Sequence, residues 1–226
     1  MNDLGFALVK EAFIAEEVTY ARTVAERCFD LEESSGSRDG HVLFLNAFER
    51  APLESIADRF SKIVQAVVGD YFYVHSSIQK NKWSPWHKDT DGQEVAGHRF
   101  HYDEGFSMVQ CAWYLQGNSL DKGGGLDILP GTHRDVSSPF VAFHLEHGGR
   151  PHTGLDLEVS SKKYGFVEST ERDAVVFETK LSHRGSFGPG AQLVPKFLVI
   201  ALFSKTLEHR EQYLEFYKTL SQGDYL

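Results

Sequence analysis

Little in this chain points away from an ordinary soluble fold. It carries only two cysteines in 226 residues. Cys28 falls in a helical pattern and Cys111 in an apolar run. A chain this long builds a core without disulfides, so both read as buried, reduced thiols. No apolar run approaches the ~18 residues of a membrane-spanning helix. No apolar stretch follows a basic N-terminus, so neither a span nor a signal peptide is expected. Basic residues are in deficit, 23 against 32 acidic ones, for a formal net charge of -9. An acidic surface disfavours nucleic acid and anionic lipid. A small molecule is the expected ligand and the cytoplasm the expected compartment; the oligomeric state does not follow. Internal repeats, low-complexity segments and linkers are absent too. With 41% hydrophobic and 24% charged residues, one domain over residues 1–226 is the economical reading.

The order of patterns along the chain divides it. Residues 1–70 open with a short apolar strand, Gly5 to Val9, and then turn helical. From Ile14 to Leu31 the residues Val18, Ala21, Val24, Ala25, Cys28 and Leu31 share one face, and Glu32 to His41 reads as an exposed loop. A second helix is expected from Leu53 to Val68, closed by Gly69. Residues 71–207 have a different texture. Tyr71 to Gln79, Met108 to Gln116, Leu126 to Leu129, Tyr164 to Val167, Ala174 to Phe177 and Phe197 to Phe203 are short apolar or β-branched runs with Gly/Pro punctuation. Strands without helices between them indicate a mainly β, antiparallel sandwich or barrel. The connection over residues 134–163 contains Pro139, Gly148, Gly149, Pro151 and Gly154, and a stretch of that length reads as a lid. A C-terminal helix is expected within 208–226.

One stretch carries chemistry: Trp83-Ser84-Pro85-Trp86-His87-Lys88-Asp89-Thr90. In an extended chain, residues i and i+2 point to one side, so His87 and Asp89 can present a nitrogen and an oxygen to a common point. A second histidine would complete a 2-His-1-carboxylate site, which leaves three positions open on Fe(II). The best partner is His183, a few residues beyond the apolar strand Ala174 to Phe177. Spacing alone leaves rivals. His101-Tyr102-Asp103 is a second His-x-Asp, and His98 and Arg99 stand just before it; otherwise this segment is a loop at a pocket mouth where His98, Arg99 and His101 grip substrate. His144, His147 and His152 could be a zinc site, but read better as a solvated lid. His133 reads as a turn residue, Glu178 as solvent-facing. Trp113 and Phe177 read as core first and as cofactor contacts second.

Several elements resemble one family. Trp86-His87-Lys88-Asp89-Thr90 is similar to the Pro-Trp-His-x-Asp element of the phytanoyl-CoA hydroxylase-like family of Fe(II)/2-oxoglutarate dioxygenases. Gly125-Leu126-Asp127-Ile128-Leu129-Pro130-Gly131-Thr132-His133 resembles that family's Gly-x-Leu-x-x-x-Pro-Gly-Ser/Thr-His element, and Asp173 to Phe177 followed by His183 and Gly185 resembles its distal-histidine strand. Gly5 to Lys10 resembles its first strand. The resemblance implies a double-stranded β-helix (jelly-roll, cupin-like) core with flanking N-terminal helices. It implies iron held by His87, Asp89 and His183, with 2-oxoglutarate and O2 as co-substrates, and hydroxylation of an unactivated C–H bond of a small metabolite. The carboxylate at Asp89 favours hydroxylation over halogenation. The family's usual arginine, a dozen residues past the distal histidine, is replaced by Lys196. Lysine keeps the charge and loses the two-pronged geometry. Lys196 is therefore the expected 2-oxoglutarate anchor, with Arg184 as the rival cation and Trp113 as a further candidate contact. Two readings of other classes stay open: a cupin-type zinc or manganese isomerase or hydrolase, and a non-catalytic jelly-roll binding module.

Overall fold

Amphipathic periodicity places the first elements. The computed structural model describes residues 3–35, 44–45, 54–81, 94–95, 98–99, 108–119, 125–134, 165–185 and 196–221. Strand β1 (Phe6–Val9) is followed by helix α1 (Ala15–Ser35). The helix starts where the Glu17 carboxylate accepts the Ile14 N–H at 2.9 Å, which satisfies one of the unpaired donors of a first turn. Val18, Ala21, Ala25 and Phe29 are its buried face. The helix runs on to Ser35, so Glu32 to Ser35, expected as loop, form its last turn. Serines are tolerated there, and Gly36 is the first true breaker. Strand β2 (Phe44–Leu45) precedes helix α2 (Glu54–Val68), which buries Ile56, Phe60, Ile63 and Val64. Gly69 ends it with φ 87°, its N–H bonded to Gln65 O at 3.0 Å.

The remaining strands are β3 (Phe72–Asn81), β4 (Glu94–Val95), β5 (His98–Arg99), β6 (Met108–Tyr114), β7 (Leu126–Ile128), β8 (Gly165–Val167), β9 (Ala174–Glu178), β10 (His183–Gly185) and β11 (Lys196–Ser204). They form a six-stranded antiparallel sheet in the order β1-β9-β6-β11-β3-β2 and a three-stranded antiparallel sheet in the order β10-β7-β8, while β4 and β5 pair only with each other. Helix α3 (Leu207–Ser221) ends the described chain. No described helix is long and apolar enough to cross a membrane.

Alternation along the large sheet separates two faces. Val109, Cys111, Trp113 and Leu115 of the β6 segment, Ala174 and Val176 of β9, and Phe197, Val199, Ala201 and Phe203 of β11 pack against α1 and α2. Their neighbours Ala112, Tyr114, Val175, Phe177 and Leu198 face the small sheet and meet its Leu126, Ile128 and Val167. The two sheets therefore enclose a shared layer in jelly-roll fashion, with both helices stacked outside. Cys111 is a free, fully buried thiol whose pKa burial pushes far up, as expected. The Cys28 side chain lies outside the described residues.

At β3 the register with β11 slips between Leu202 and Phe203, whose partners are His75 and Tyr73, and leaves Val74 as an extra residue. The Tyr73 carbonyl at this bulge accepts a bond from Arg210 Nε of α3 at 2.7 Å. Helix α3 thereby folds back onto the inner side of the sheet, where Tyr213 and Leu214 cover Val74, Met108 and Leu202.

Candidate metal and co-substrate site

His183 stands at the first position of β10, opposite Ile128 of β7. Ile128 faces the inner layer, so His183 does too, and its ring meets Phe177 edge-on with centroids 4.9 Å apart. The residue is 5% exposed. Its Nδ1 lies 2.9 Å from Leu181 O. A carbonyl can only accept, so Nδ1 is the donor here, and Nε2 is the nitrogen that would meet a metal. That is the arrangement in which a histidine ligates a metal through one nitrogen while the other is fixed by a backbone acceptor.

The chain around His183 is tied down on both sides. Ser182 O accepts from Leu129 N at 2.9 Å, and Ser182 N donates to Thr132 Oγ1 at 3.0 Å. The Thr132 hydroxyl donates to Leu129 O at 2.7 Å. On the other side, Arg184 Nε bonds Asp127 Oδ2 at 2.8 Å, a pair whose carboxylate side chain is only 4% exposed. The sequence did not single out Thr132 and Asp127 as the residues that hold the His183 strand. Both lie within the Gly125-to-His133 element, but their partners are fifty and more residues away, so no local pattern marks them.

The structure sorts the remaining candidates. Arg184 pairs with Asp127 and alternates with His183 along β10, so it faces the opposite side of the small sheet from His183. The extended backbone dictates this. Trp113 lies on the helix side of β6, stacked on Phe13 (3.7 Å, 8°), with its Nε1 donating to Glu171 O at 2.7 Å. It is a core residue, and the candidate role as a co-substrate contact is not met by its position. Lys196 opens β11 opposite Asn81, in the alternation of Leu198 and Ile200. His98 and Arg99 form a strand paired with Glu94–Val95 rather than a loop, because a local ribbon satisfies their backbone groups. His133 sits in the short 3-10 turn Thr132–Arg134, its ring against Gly5, whose positive φ of 80° also calls for glycine. His87, Asp89, His101, the expected lid over 134–163 and His144, His147 and His152 lie outside the described residues. Among the described residues no three His, Cys, Asp or Glu side chains converge as a metal site, and two of the three expected ligands are not among them.

No protein-family model and no curated protein sequence matches the chain. Solved structures do. AviO1 from Streptomyces viridochromogenes Tue57 superposes with a TM-score of 0.64 at 16% identity, over 90% of this chain and 91% of AviO1. HygX from Streptomyces hygroscopicus, solved with nickel and 2-oxoglutarate bound, gives 0.65 at 15% identity over 91% and 84%. SnoK, a non-heme alpha ketoglutarate dependent carbocyclase from nogalamycin biosynthesis, gives 0.59 at 14% identity over 89% and 80%. At this level of identity the likeness is one of fold. The chain has the jelly-roll core, a double-stranded β-helix, with helices packed outside.

Proposed function

We propose that the chain is an Fe(II)- and 2-oxoglutarate-dependent oxygenase of the phytanoyl-CoA hydroxylase-like kind, which hydroxylates an unactivated C–H bond of a small organic molecule. His87, Asp89 and His183 would hold the iron, and Lys196 would neutralise the distal carboxylate of 2-oxoglutarate. The observation that carries the reading is His183. It is buried, turned into the inner layer, and its Nδ1 is engaged by Leu181 O, as in a histidine that ligates a metal through Nε2. Iron and 2-oxoglutarate would supply oxygen activation, with CO2 and succinate released.

The protein's own residues do the rest. The bonds from Thr132, Leu129 and Asp127 fix the strand that carries His183, and a ligand held in one orientation costs no reorganisation when it binds. Phe177 and Ile128 exclude water on the protein side of the imidazole. Lys196, whose backbone continues the alternation of Leu198 and Ile200, would supply the cation, since Arg184 is paired with Asp127.

Purified protein loaded anaerobically with Fe(II) should release succinate when 2-oxoglutarate and O2 are added. His183→Ala should abolish that release and retain the wild-type melting temperature within a few degrees. Full turnover in His183→Ala, or turnover with Zn(II) in place of Fe(II), would refute the reading.

A further inference from the structure

Two turns hold the segment that carries His183. The first, Leu129 to Arg134, takes Ser182 from both sides: Leu129 N donates to Ser182 O at 2.9 Å, and Thr132 Oγ1 accepts from Ser182 N at 3.0 Å. The second, Glu178 to Leu181, is closed by Leu181 N donating to Glu178 O at 2.8 Å, and its Leu181 O engages His183 Nδ1 at 2.9 Å. The turns are far apart in the chain, yet one short stretch touches both. Leu4 O accepts from Gly131 N at 3.0 Å in the first turn, and Gly5 O accepts from Glu178 N at 3.0 Å in the second. Beside them Arg134 Nη2 pairs with Asp3 Oδ1 at 2.6 Å.

These bonds close a ring. From Gly5 it runs through Glu178 and Leu181 to Ser182, crosses to Thr132, and returns through Gly131 to Leu4. Neither turn can shift without breaking a bond or carrying the other with it. Strand β1 extends the hold, because Phe6 stands opposite Phe177, whose ring meets His183 edge-on. The Asp3–Arg134 pair is largely exposed and adds little, so the backbone bonds carry the ring. Gly5 sets the path of the stretch. Its φ of 80° lies where L-residues are disfavoured, and a Cβ there would come within 2.3 Å of His133 Nδ1. His133 belongs to the first turn, so a side chain at Gly5 strains the stretch or pushes on that turn.

We propose that Asp3 to Gly5 is a positioning strap for His183: by bracing the two turns against each other it fixes the imidazole in advance, and it makes iron affinity depend on residues 3–5. This rests on the oxygenase reading above, in which His183 is a ligand. A histidine already held in one orientation loses little freedom on ligation, whereas one on a loosened turn must be ordered at the expense of binding.

The test strains the strap in the full chain and compares it with a change elsewhere on β1. Gly5→Ala and Gly5→Val impose increasing strain, since a β-branched residue tolerates positive φ least. Lys10→Met is the control: it removes the bond from Lys10 Nζ to Asp173 Oδ2, 2.9 Å, beyond the other end of β1. Amide hydrogen exchange at Ser182 and Leu129 is read by NMR on the metal-free protein, and Fe(II) affinity by titration against a chromophoric chelator. Gly5→Val should speed exchange at both amides and weaken Fe(II) binding, each by about tenfold, with Gly5→Ala between it and the wild type. Should Gly5→Val not fold, Gly5→Ala provides the same two comparisons. Lys10→Met should lower the urea midpoint and leave both readouts within about twofold of the wild type. The proposal is overturned if Ser182 exchange is unchanged in the Gly5 variants, if it quickens with no loss of Fe(II) affinity, or if Lys10→Met weakens Fe(II) as much as they do. A wild type that binds no Fe(II) would defeat the oxygenase reading, and the exchange rate at Ser182 would still decide whether the strap holds the His183 segment.

Discussion

Taking the protein from pH 7.5 to pH 5.0 should cost about 2 kcal/mol of folding free energy through His75 alone. Burial in the inner layer beneath α3 pulls this imidazole down to about 4 from its ordinary 6.5, a pull only partly offset by the Ser76 backbone. The folded state therefore binds the proton less readily than the unfolded chain, and stability rises with pH across the interval. The contribution is fully present above pH 6.5 and is lost progressively as pH falls towards about 4. The full loss is about 3 kcal/mol, since each pKa unit is worth ~1.4 kcal/mol. At pH 5.0 the unfolded imidazole is almost fully charged and the folded one about a tenth charged, hence the smaller figure. His75→Phe removes the titration and keeps a ring to stack on Tyr213. Urea unfolding, followed by tryptophan fluorescence at both pH values, measures the difference. The wild type should lose about 2 kcal/mol more than the variant on acidification. Other groups, Asp173 and the remaining histidines among them, titrate in both proteins and cancel. An equal loss in the two would mean that His75 is not held neutral in the fold.

Three further perturbations probe the mount, the anchor and the frame. Thr132→Val removes the hydroxyl that holds Ser182 N and Leu129 O; affinity for Fe(II), titrated against a chromophoric chelator, should fall about tenfold, and unchanged affinity would mean the bonds do not orient His183. Lys196→Ala should raise the 2-oxoglutarate requirement in succinate release by about 30-fold, the equivalent of about 2 kcal/mol for a lost charge-assisted bond; a requirement left untouched would remove Lys196 as the anchor. Asp173 is 1% exposed and accepts from Lys10 Nζ (2.9 Å), Glu11 N (3.0 Å) and Thr170 N (2.8 Å). Burial opposes its charge, but these bonds outweigh it and hold the carboxyl below its ordinary range. Asp173→Ala should therefore cost about 3 kcal/mol in urea unfolding at neutral pH. The cost should shrink only in acid below the ordinary carboxylate range, as the native carboxylate takes up its proton; a cost under about 1 kcal/mol would show the bonds to be dispensable.

What the sequence could convey depended on whether the relevant signal was local. Helix α2 and strands β6, β9 and β11 follow from apolar spacing within each segment, and their bounds fall within a residue or two of the expected ones. Strand β10 has no such pattern. His183-Arg184-Gly185 is extended because Ile128, Asp127 and Leu126 pair with it, and a ladder with a distant partner leaves no periodicity in three residues. The same holds for Thr132 and Asp127, whose partners lie some fifty residues on. Trp113 illustrates a different loss. In a run buried on both faces, apolar residues no longer mark which side is which, so only the pairing with β9 and β11 reveals that its indole meets the helices.

The same run carries one interruption that was visible from the start. Between Met108 and Tyr114 every residue is apolar except Gln110. A polar side chain in such a position needs a polar partner. Alternation excludes the helix side, because Val109 and Cys111 take it. The register then sets Gln110 opposite Phe177, whose ring meets His183 edge-on. The composition of a single strand thus identifies the polar residue, and the pairing of three strands locates it opposite the phenylalanine that packs on His183.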